Sequence, residues 1–202
     1  MKFFYSKKQH GFTLVETMVS MTIFSVLVVY GLGSVLTAIS QHERSQNMSN
    51  VMDNLNFILE DMSRNIRLGT NFHCFAPDES GTGVDGSGHV NVVPQDCQLG
   101  VGSNEIVFQS VSGVAITYLI APVGGVGQVQ IQKIVGNGTA QILTPTYVII
   151  DSSKSGFIVY GAPQGDGLQP VINISLSGKV TYRGTDSSFS IQTTVASRPL
   201  DG

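Results

Sequence analysis

The stretch that decides the fold is KKQHGFTLVETMVSMTIFSVLVVYGLGSVLTAISQ, residues 7–41. From Thr17 to Gln41 it contains no Asp, Glu, Lys or Arg. As a helix, this uncharged part spans roughly 37 Å at about 1.5 Å per residue, which is more than the ~30 Å apolar thickness of a bilayer. The stretch therefore predicts a helix that crosses a membrane with some tilt.

The residues in front of this helix indicate its orientation. Lys2, Lys7 and Lys8 precede it without any acidic residue, so the positive-inside rule places the N-terminus in the cytoplasm and the rest of the chain outside. A secretory signal peptide has an apolar region of only ~7–15 residues followed by a small-residue cleavage site. The apolar run here is longer and lacks that site. A membrane anchor fits better, but a plain anchor does not explain Glu16.

Glu16 lies at the cytoplasmic start of the apolar run, within GFTLVE at residues 11–16. An ionised carboxylate is costly in lipid, so a charged partner is expected for it. A basic leader that ends in glycine, then F-T-L-V-E, then an unbroken apolar helix resembles the class III signal of type IV prepilins. The order of these features makes the resemblance specific. It implies an α+β fold, in which a long N-terminal helix packs on a C-terminal antiparallel β-sheet domain.

The same resemblance implies how the N-terminus is used. A membrane prepilin peptidase would cleave between Gly11 and Phe12 and then N-methylate Phe12. In related filaments, the carboxylate equivalent to Glu16 neutralises the N-terminal amine of a neighbouring subunit. The implied partners are this peptidase, other pilin or pseudopilin subunits, an inner-membrane assembly platform and, before assembly, membrane lipid. The β domain is then extracytoplasmic, first on the inner membrane and later in an extracellular or periplasmic filament.

The helix is predicted to continue beyond the membrane, from about Phe12 to about Leu68. Apolar residues recur at spacings of three and four, which is typical of one face of an amphipathic helix. These residues are Met48, Val51, Leu55, Ile58, Met62 and Ile66. The charged residues between them suit the polar face, and Gly69 is expected to end the helix as a C′ glycine. Gly31 and Gly33 indicate either local loosening or close helix packing, and the sequence does not decide between these.

Residues 70–104 read as a loop that contains both cysteines, Cys74 and Cys97. Disulfides persist outside the cytoplasm, so a Cys74–Cys97 bridge is expected. The alternative is a metal site built from Cys74, His73 and His89, although its ligands lack the close spacing of zinc sites. A weaker alternative is calcium bound by the loop acids Asp78, Glu79 and Asp85. We therefore predict a disulfide, with no metal and no cofactor.

Residues 105–202 contain short β-branched or alternating segments bounded by Gly, Pro, Asn or Asp, which predicts an antiparallel sheet in two connected layers. The pattern of ITYLI, FIVYG and the closing FSIQTTVASR resembles the J-type minor pseudopilin of type II secretion and the W-type minor pilin of type IV pili. The predicted segments are a cleaved leader (1–11), a transmembrane or filament-core helix (12–41), its amphipathic half (42–69), the loop region (70–104) and the β domain (105–202).

Composition narrows the functional classes. Charged residues make up only 12% of the chain and the net charge is −3, so there is no basic stripe for nucleic acid. No catalytic motif such as H-E-x-x-H, G-x-S-x-G or a P-loop occurs, and the four histidines are scattered as surface histidines usually are. The prediction is a non-enzymatic minor filament subunit. The alternative is a binding module at the filament tip for DNA, a surface or a secreted substrate, although the cations of the β domain are spread along the sequence. These cations are Lys133, Lys154, Lys179, Arg183 and Arg198.

Overall fold

The computed structural model describes residues 11–75, 83–97, 103–123, 127–165, 167–182 and 185–198. The leader lysines, His10, Asp78, Glu79 and Arg183 lie outside these ranges. The chain divides into two compact units, Met1–Gln46 and Asn47–Gly202. Within these described ranges, one helix is followed by nine strands, so the predicted α+β layout is confirmed. The elements are α1 (Leu14–Leu68), β1 (Thr70–Cys74), β2 (Glu105–Gln109), β3 (Ala115–Val123), β4 (Gln128–Val135), β5 (Gln141–Ile142), β6 (Val148–Ile150), β7 (Gly156–Tyr160), β8 (Val171–Tyr182) and β9 (Thr185–Ala196).

The strands form two antiparallel sheets, as predicted from the sequence. In the first sheet the order is β1-β2-β3-β4-β5, so each strand pairs with its neighbour in the chain. In the second sheet, β8 pairs with β9 along its whole length, and its other edge pairs with β7 and then with β6. The region 70–104 was predicted to be loop, but its first five residues form strand β1. That prediction missed β1 because the strand is defined by pairing with β2, which begins only at Glu105. A pairing over that distance leaves no pattern in the local sequence.

The second half of α1 packs its apolar stripe on the sheets. Five of the six stripe residues predicted from the sequence are buried, while Met48, the first of them, is half-buried. The buried helix residues are Val51, Leu55, Ile58, Leu59, Met62 and Ile66. They belong to one apolar core with residues of both sheets, such as Ile131 in β4 and Ile174 in β8. Burying such a side chain contributes about 1.5–3 kcal/mol, so this stripe holds the domain together.

Gly69 ends the helix at Leu68, as predicted, but for a different reason. Its φ is not in the left-handed region that a C′ glycine adopts. The positive φ nearby belongs to Asn71 in β1, at 53°. A Cβ at Gly69 would lie 3.0 Å from Cε2 of Phe108, because the chain passes directly over that ring. The absence of a side chain is therefore needed for close packing of the turn on β2.

A polar cluster also joins the helix to the first sheet. Tyr118 in β3 is fully buried and its hydroxyl donates to Oδ2 of Asp61 at 2.8 Å, while Nδ2 of Asn65 donates to the Tyr118 oxygen at 2.9 Å. Nζ of Lys133 in β4 donates to the same Asp61 oxygen at 2.8 Å and lies 5.5 Å from the Tyr118 ring centroid. From the sequence, Asp61 was predicted to lie on the polar face of the helix, but its carboxylate faces the sheet.

The cluster sets the charge state of Asp61. Partial burial alone would raise the pKa of this carboxyl, but hydrogen bonds from Lys133 and Tyr118, with the charge of Lys133, lower it below its usual value of 3.8. Burial and the neighbouring Asp61 carboxylate raise the pKa of the Tyr118 hydroxyl, which therefore stays protonated. The cluster consequently consists of the Asp61 anion, the Lys133 cation and two neutral hydrogen-bonding groups, the Tyr118 hydroxyl and the Asn65 amide.

We predict that Lys133→Met lowers the free energy of unfolding by about 1–2 kcal/mol at neutral pH, because it leaves the half-buried Asp61 without its cation. Urea unfolding of the detergent-solubilised chain measures this. Lys154→Met is the matched control: Lys154 is 72% exposed and pairs with Asp151 across 3.5 Å at the surface, so stability should change much less.

The difference in unfolding free energy between wild type and Lys133→Met should depend on pH, and the pKa shift of Asp61 gives its direction. Because the pKa of Asp61 is lowered by folding, its contribution is present above the unfolded pKa and is lost as pH falls through the folded value. The stability difference between wild type and Lys133→Met should therefore shrink when the pH falls below about 4. A difference that stays constant down to pH 2 would contradict this assignment.

Candidate functional site

The segment in front of α1 leaves the bond between Gly11 and Phe12 accessible. Both residues precede the helix, and 79% of the Phe12 side chain is exposed. Apart from the atoms of Gly11 and its two chain neighbours, no heavy atom of the described residues lies within 4 Å of the position that a Cβ would take at Gly11. Because non-helical backbone without neighbouring side chains can enter a protease cleft, this geometry suits cleavage at this bond. Both predicted cleavage residues thus lie in an open segment in front of the helix.

Thr13 begins the helix as its N-cap. Its Oγ1 accepts the backbone N–H of Glu16 at 3.3 Å, and its carbonyl accepts the backbone N–H of Thr17 at 3.2 Å. This role of Thr13 was not predicted from the sequence, although Thr13-x-x-Glu16 has the spacing of a capping box. Glu16 is exposed in the first turn, where the helix dipole favours a negative charge. Capping thus fixes the start of the helix two residues after the predicted cleavage point.

After Glu16, the first half of α1 has apolar side chains on all sides. In the isolated chain these side chains are exposed. Large apolar side chains from Phe12 to Ile39 are at least 39% exposed, and the helix is long and apolar enough to cross a membrane. The hydroxyls of Thr17, Thr22, Ser25, Thr37 and Ser40 each donate to a backbone carbonyl three or four residues earlier, at 2.8–2.9 Å. These hydroxyls therefore need no partner outside the helix, which suits an apolar environment such as lipid.

The two glycines of this half lie within the helix. Among the described residues, no side chain and no backbone outside the surrounding turns of α1 lies within 4 Å of a Cβ built at Gly31 or Gly33, beyond their immediate chain neighbours. Helix α1 continues without a break from Leu14 to Leu68. The helix is thus formed at both glycines in the isolated chain. Local loosening of the helix and close packing against another helix therefore both stay predictions, and both concern the assembled state.

The cysteines form the expected disulfide. Cys74 and Cys97 are bonded, with 5.2 Å between their Cα atoms. Residues 95–97 lie between the sheets: Cys74 N donates to Gln95 O at 3.3 Å on the β1 side, and Cys97 N donates to Val159 O at 3.2 Å on the β7 side. The bridge therefore holds a connecting segment that contacts both sheets. Since both thiols are oxidised, neither supplies a thiolate for the alternative metal site.

Of the other candidate ligands, those that the structure describes, His73, Asp85 and His89, have structural roles in β1 and the loop that follows it. His73 was expected at the surface, but it is 3% exposed, and its Nδ1 lies 2.7 Å from the Val93 carbonyl oxygen. Oδ1 of Asp85 accepts the backbone N–H groups of His89 and Ser87 at 3.0 and 2.8 Å, and these bonds lower the pKa of Asp85. Among the described residues, no three His, Cys, Asp or Glu side chains cluster as metal ligands do.

Comparison with known families matches the N-terminal segment alone. A family model described as the prokaryotic N-terminal methylation motif covers residues 6–31. This range includes Gly11, Phe12 and Glu16 as well as the first half of the apolar stretch. Searches of curated proteins and of solved structures gave no match.

We predict that replacing both Cys74 and Cys97 by alanine lowers the free energy of unfolding by about 3 kcal/mol, because the bridge closes a loop of roughly 20 residues. Urea unfolding with and without a reductant measures this. Reduction should destabilise the wild type by a similar amount and leave the double variant unchanged. A wild-type protein insensitive to reductant, with two titratable thiols in the native state, would contradict the bridge.

Proposed function

The chain is a type IV pilin or pseudopilin precursor by its N-terminal motif, and from this premise we propose that it is a minor filament subunit that acts in initiation or at the tip. The motif implies processing by prepilin peptidase and assembly with other pilins, and it indicates a structural subunit rather than an enzyme. The observation that carries the proposal is the open Gly11–Phe12 bond, placed directly before a capped helix whose apolar surface is exposed.

The proposed cleavage leaves the helix intact. Water adds across the Gly11–Phe12 amide, which gives a carboxylate on Gly11 and an amine on Phe12. A methyl group then passes from a sulfonium methyl donor to that nitrogen, which loses a proton. The helix begins at Leu14 and its cap is Thr13, so both remain in the mature chain. Cleavage can therefore expose the amine without unwinding the first turn.

Glu16 is proposed to pair with the new amine of a neighbouring subunit. Its carboxylate is exposed in the first helical turn, where the helix dipole favours it before assembly. In a filament core of packed apolar helices, an unpaired carboxylate or ammonium is expensive, and pairing the two removes much of that cost. This pair would fix the axial register of each subunit, since only one offset brings the two charges together. The uncleaved leader would prevent the pairing because the nitrogen of Phe12 is then part of an amide.

Two parts of the proposal are argued from the β domain: that the chain is a minor subunit, and that it acts in initiation or at the tip. The strand pattern resembles J-type pseudopilins and W-type minor pilins, and both cysteines lie near the middle of the chain rather than near its C-terminus. The alternative, a DNA-binding tip, is weakened by the ion pairs of the domain. Lys133 pairs with Asp61, Lys154 with Asp151, and Lys179 with Asp186. These three lysines are therefore already neutralised by carboxylates.

Processing is tested by mass spectrometry of the chain extracted from membranes. The wild type should begin at N-methyl-Phe12, and Gly11→Val should remain at full length, because a branched side chain blocks close approach of the peptidase. Gly86→Ala is the control: Gly86 has open space and no positive φ, so processing should continue normally. A wild-type chain that still begins at Met1 would contradict the processing step.

Assembly is tested by counting surface filaments by electron microscopy, with secretion of the substrate proteins as the second readout. Deleting the gene should remove filaments or abolish secretion. The wild type should restore the lost function, and Glu16→Ala should not, although it is processed. Glu16→Asp keeps the charge and should restore part of it. Full function of Glu16→Ala would show that the carboxylate is not used in assembly.

A further inference from the structure

The second half of α1 has an outward stripe opposite its buried one. Asp53, Phe57, Glu60 and Arg64 follow one another at spacings of three and four, and Arg67 and Leu68 lie three and four residues after Arg64. All six are exposed. Phe57 is 74% exposed and Leu68 is 45% exposed, so the stripe has two large apolar side chains among charged ones. Exposed apolar side chains rimmed by charges are typical of a surface that contacts another molecule.

The end of this stripe forms a groove of about 330 Å³, lined by Glu60, Ser63, Arg64, Arg67, Leu68 and Arg198. The segment after β9 brings Arg198 there. Its backbone N–H donates to the Arg67 carbonyl at 2.8 Å, and the buried Ser197 hydroxyl donates to the Gly69 carbonyl at 2.9 Å. These bonds satisfy carbonyls at the end of the helix, so the chain is firmly held where Arg198 enters the groove.

The charges of the groove are unbalanced. Arg64 pairs with Glu60 at 3.1 Å, whereas neither Arg67 nor Arg198 forms an ion pair with any part of the chain that the structure describes. The helix dipole favours a cation in the last turn, which accounts for Arg67. It does not account for a second arginine brought in from the end of β9, or for the apolar Leu68 beside them.

We propose that this groove binds the helix of an adjacent filament subunit, through a carboxylate that meets Arg67 and Arg198 and a large apolar side chain that packs on Leu68. The inference rests on the proposed function, because only a filament brings parallel helices of such subunits side by side. The required partner is a helix with an acid and a large apolar residue one turn apart. The outward stripe of this chain itself carries such a pair, Asp53 and Phe57, which shows that a helix of this kind can present it.

The groove suits a protein segment better than a nucleic acid. Single-stranded nucleic acid binds through stacking on aromatic side chains together with a basic track for the backbone. Among the described residues that line the groove, none is aromatic, and two cations, Arg67 and Arg198, have no ion pair. An arginine pair around one apolar residue instead matches the mixed surface of an amphipathic helix, since guanidinium groups form bidentate pairs with carboxylates.

The test places a photo-crosslinking amino acid at position 68 of the full chain, in cells that also serve for the processing and assembly measurements. After irradiation, mass spectrometry identifies the crosslinked peptide. The expected peptide comes from the α1-like helix of a chain with the N-terminal methylation motif, and has Asp or Glu four residues from a large apolar residue. The same probe at Val111, which is 77% exposed in a turn elsewhere, should not give this product.

Charge reversal tests the role of the arginines. Arg67→Glu with Arg198→Glu should reduce the crosslink at least tenfold, and reversing the acid of the identified partner to Arg should restore it. Lys154→Glu, at an unrelated surface, should leave the yield unchanged. Crosslinks to nucleic acid, lipid or a protein without the motif would overturn the inference, as would no crosslink in cells whose filaments are intact.

The two proposals fail in different ways. If Phe12 is methylated and filaments form while the probe at position 68 captures no subunit helix, the groove inference fails and the proposed function stands. If the chain is not processed or no assembly depends on it, the proposed function fails, and the groove inference fails with it.

Discussion

The structure depends on one constraint: a single uninterrupted helix has to satisfy two different surroundings. From Thr17 to Gln41 the helix carries no charge and has apolar side chains on every side, and only lipid or other helices can cover such a surface. From Val51 to Ile66 the same helix buries one stripe in the core of the β domain. An apolar helix surface of this length exposed to water would favour aggregation. In the proposed function, lipid covers this surface before assembly and neighbouring helices cover it afterwards.

The helix is fixed to the domain by polar contacts as well as by the apolar stripe. An apolar stripe alone tolerates small rotations or shifts of a helix, because dispersion contacts are not directional. The Asp61 cluster is directional, since one carboxylate oxygen accepts from both Lys133 and Tyr118. The bond from Arg198 N to Arg67 O fixes the end of the helix in the same way. Together these contacts set the rotation of the helix, and thereby which residues face outwards.

Local patterns in the sequence were enough to predict much of this architecture. The apolar span, the core stripe, the two sheets and the disulfide all follow from composition, spacing or cellular compartment. The features that were missed depend on contacts between distant residues. Lys133 meets Asp61 across 72 positions, and the side chain that excludes a Cβ at Gly69 belongs to Phe108. Strand β1 was missed for the same reason, because it is defined by a partner strand more than thirty residues later.

The N-terminal motif and the groove were predictable from the sequence to different degrees. Gly11, Phe12 and Glu16 belong to one short motif, so the sequence alone was enough to predict their roles, whereas the groove required folding to bring Arg198 next to Arg67. In the amphipathic half of α1, the residues that hold the domain together and those proposed to contact a neighbour occupy opposite faces. Changes on the outward stripe therefore leave the core stripe untouched, so assembly and stability can be altered separately in this chain. Asp61 lies beside the outward stripe but is engaged by the sheet, so a substitution there would change stability and is unsuitable for testing assembly.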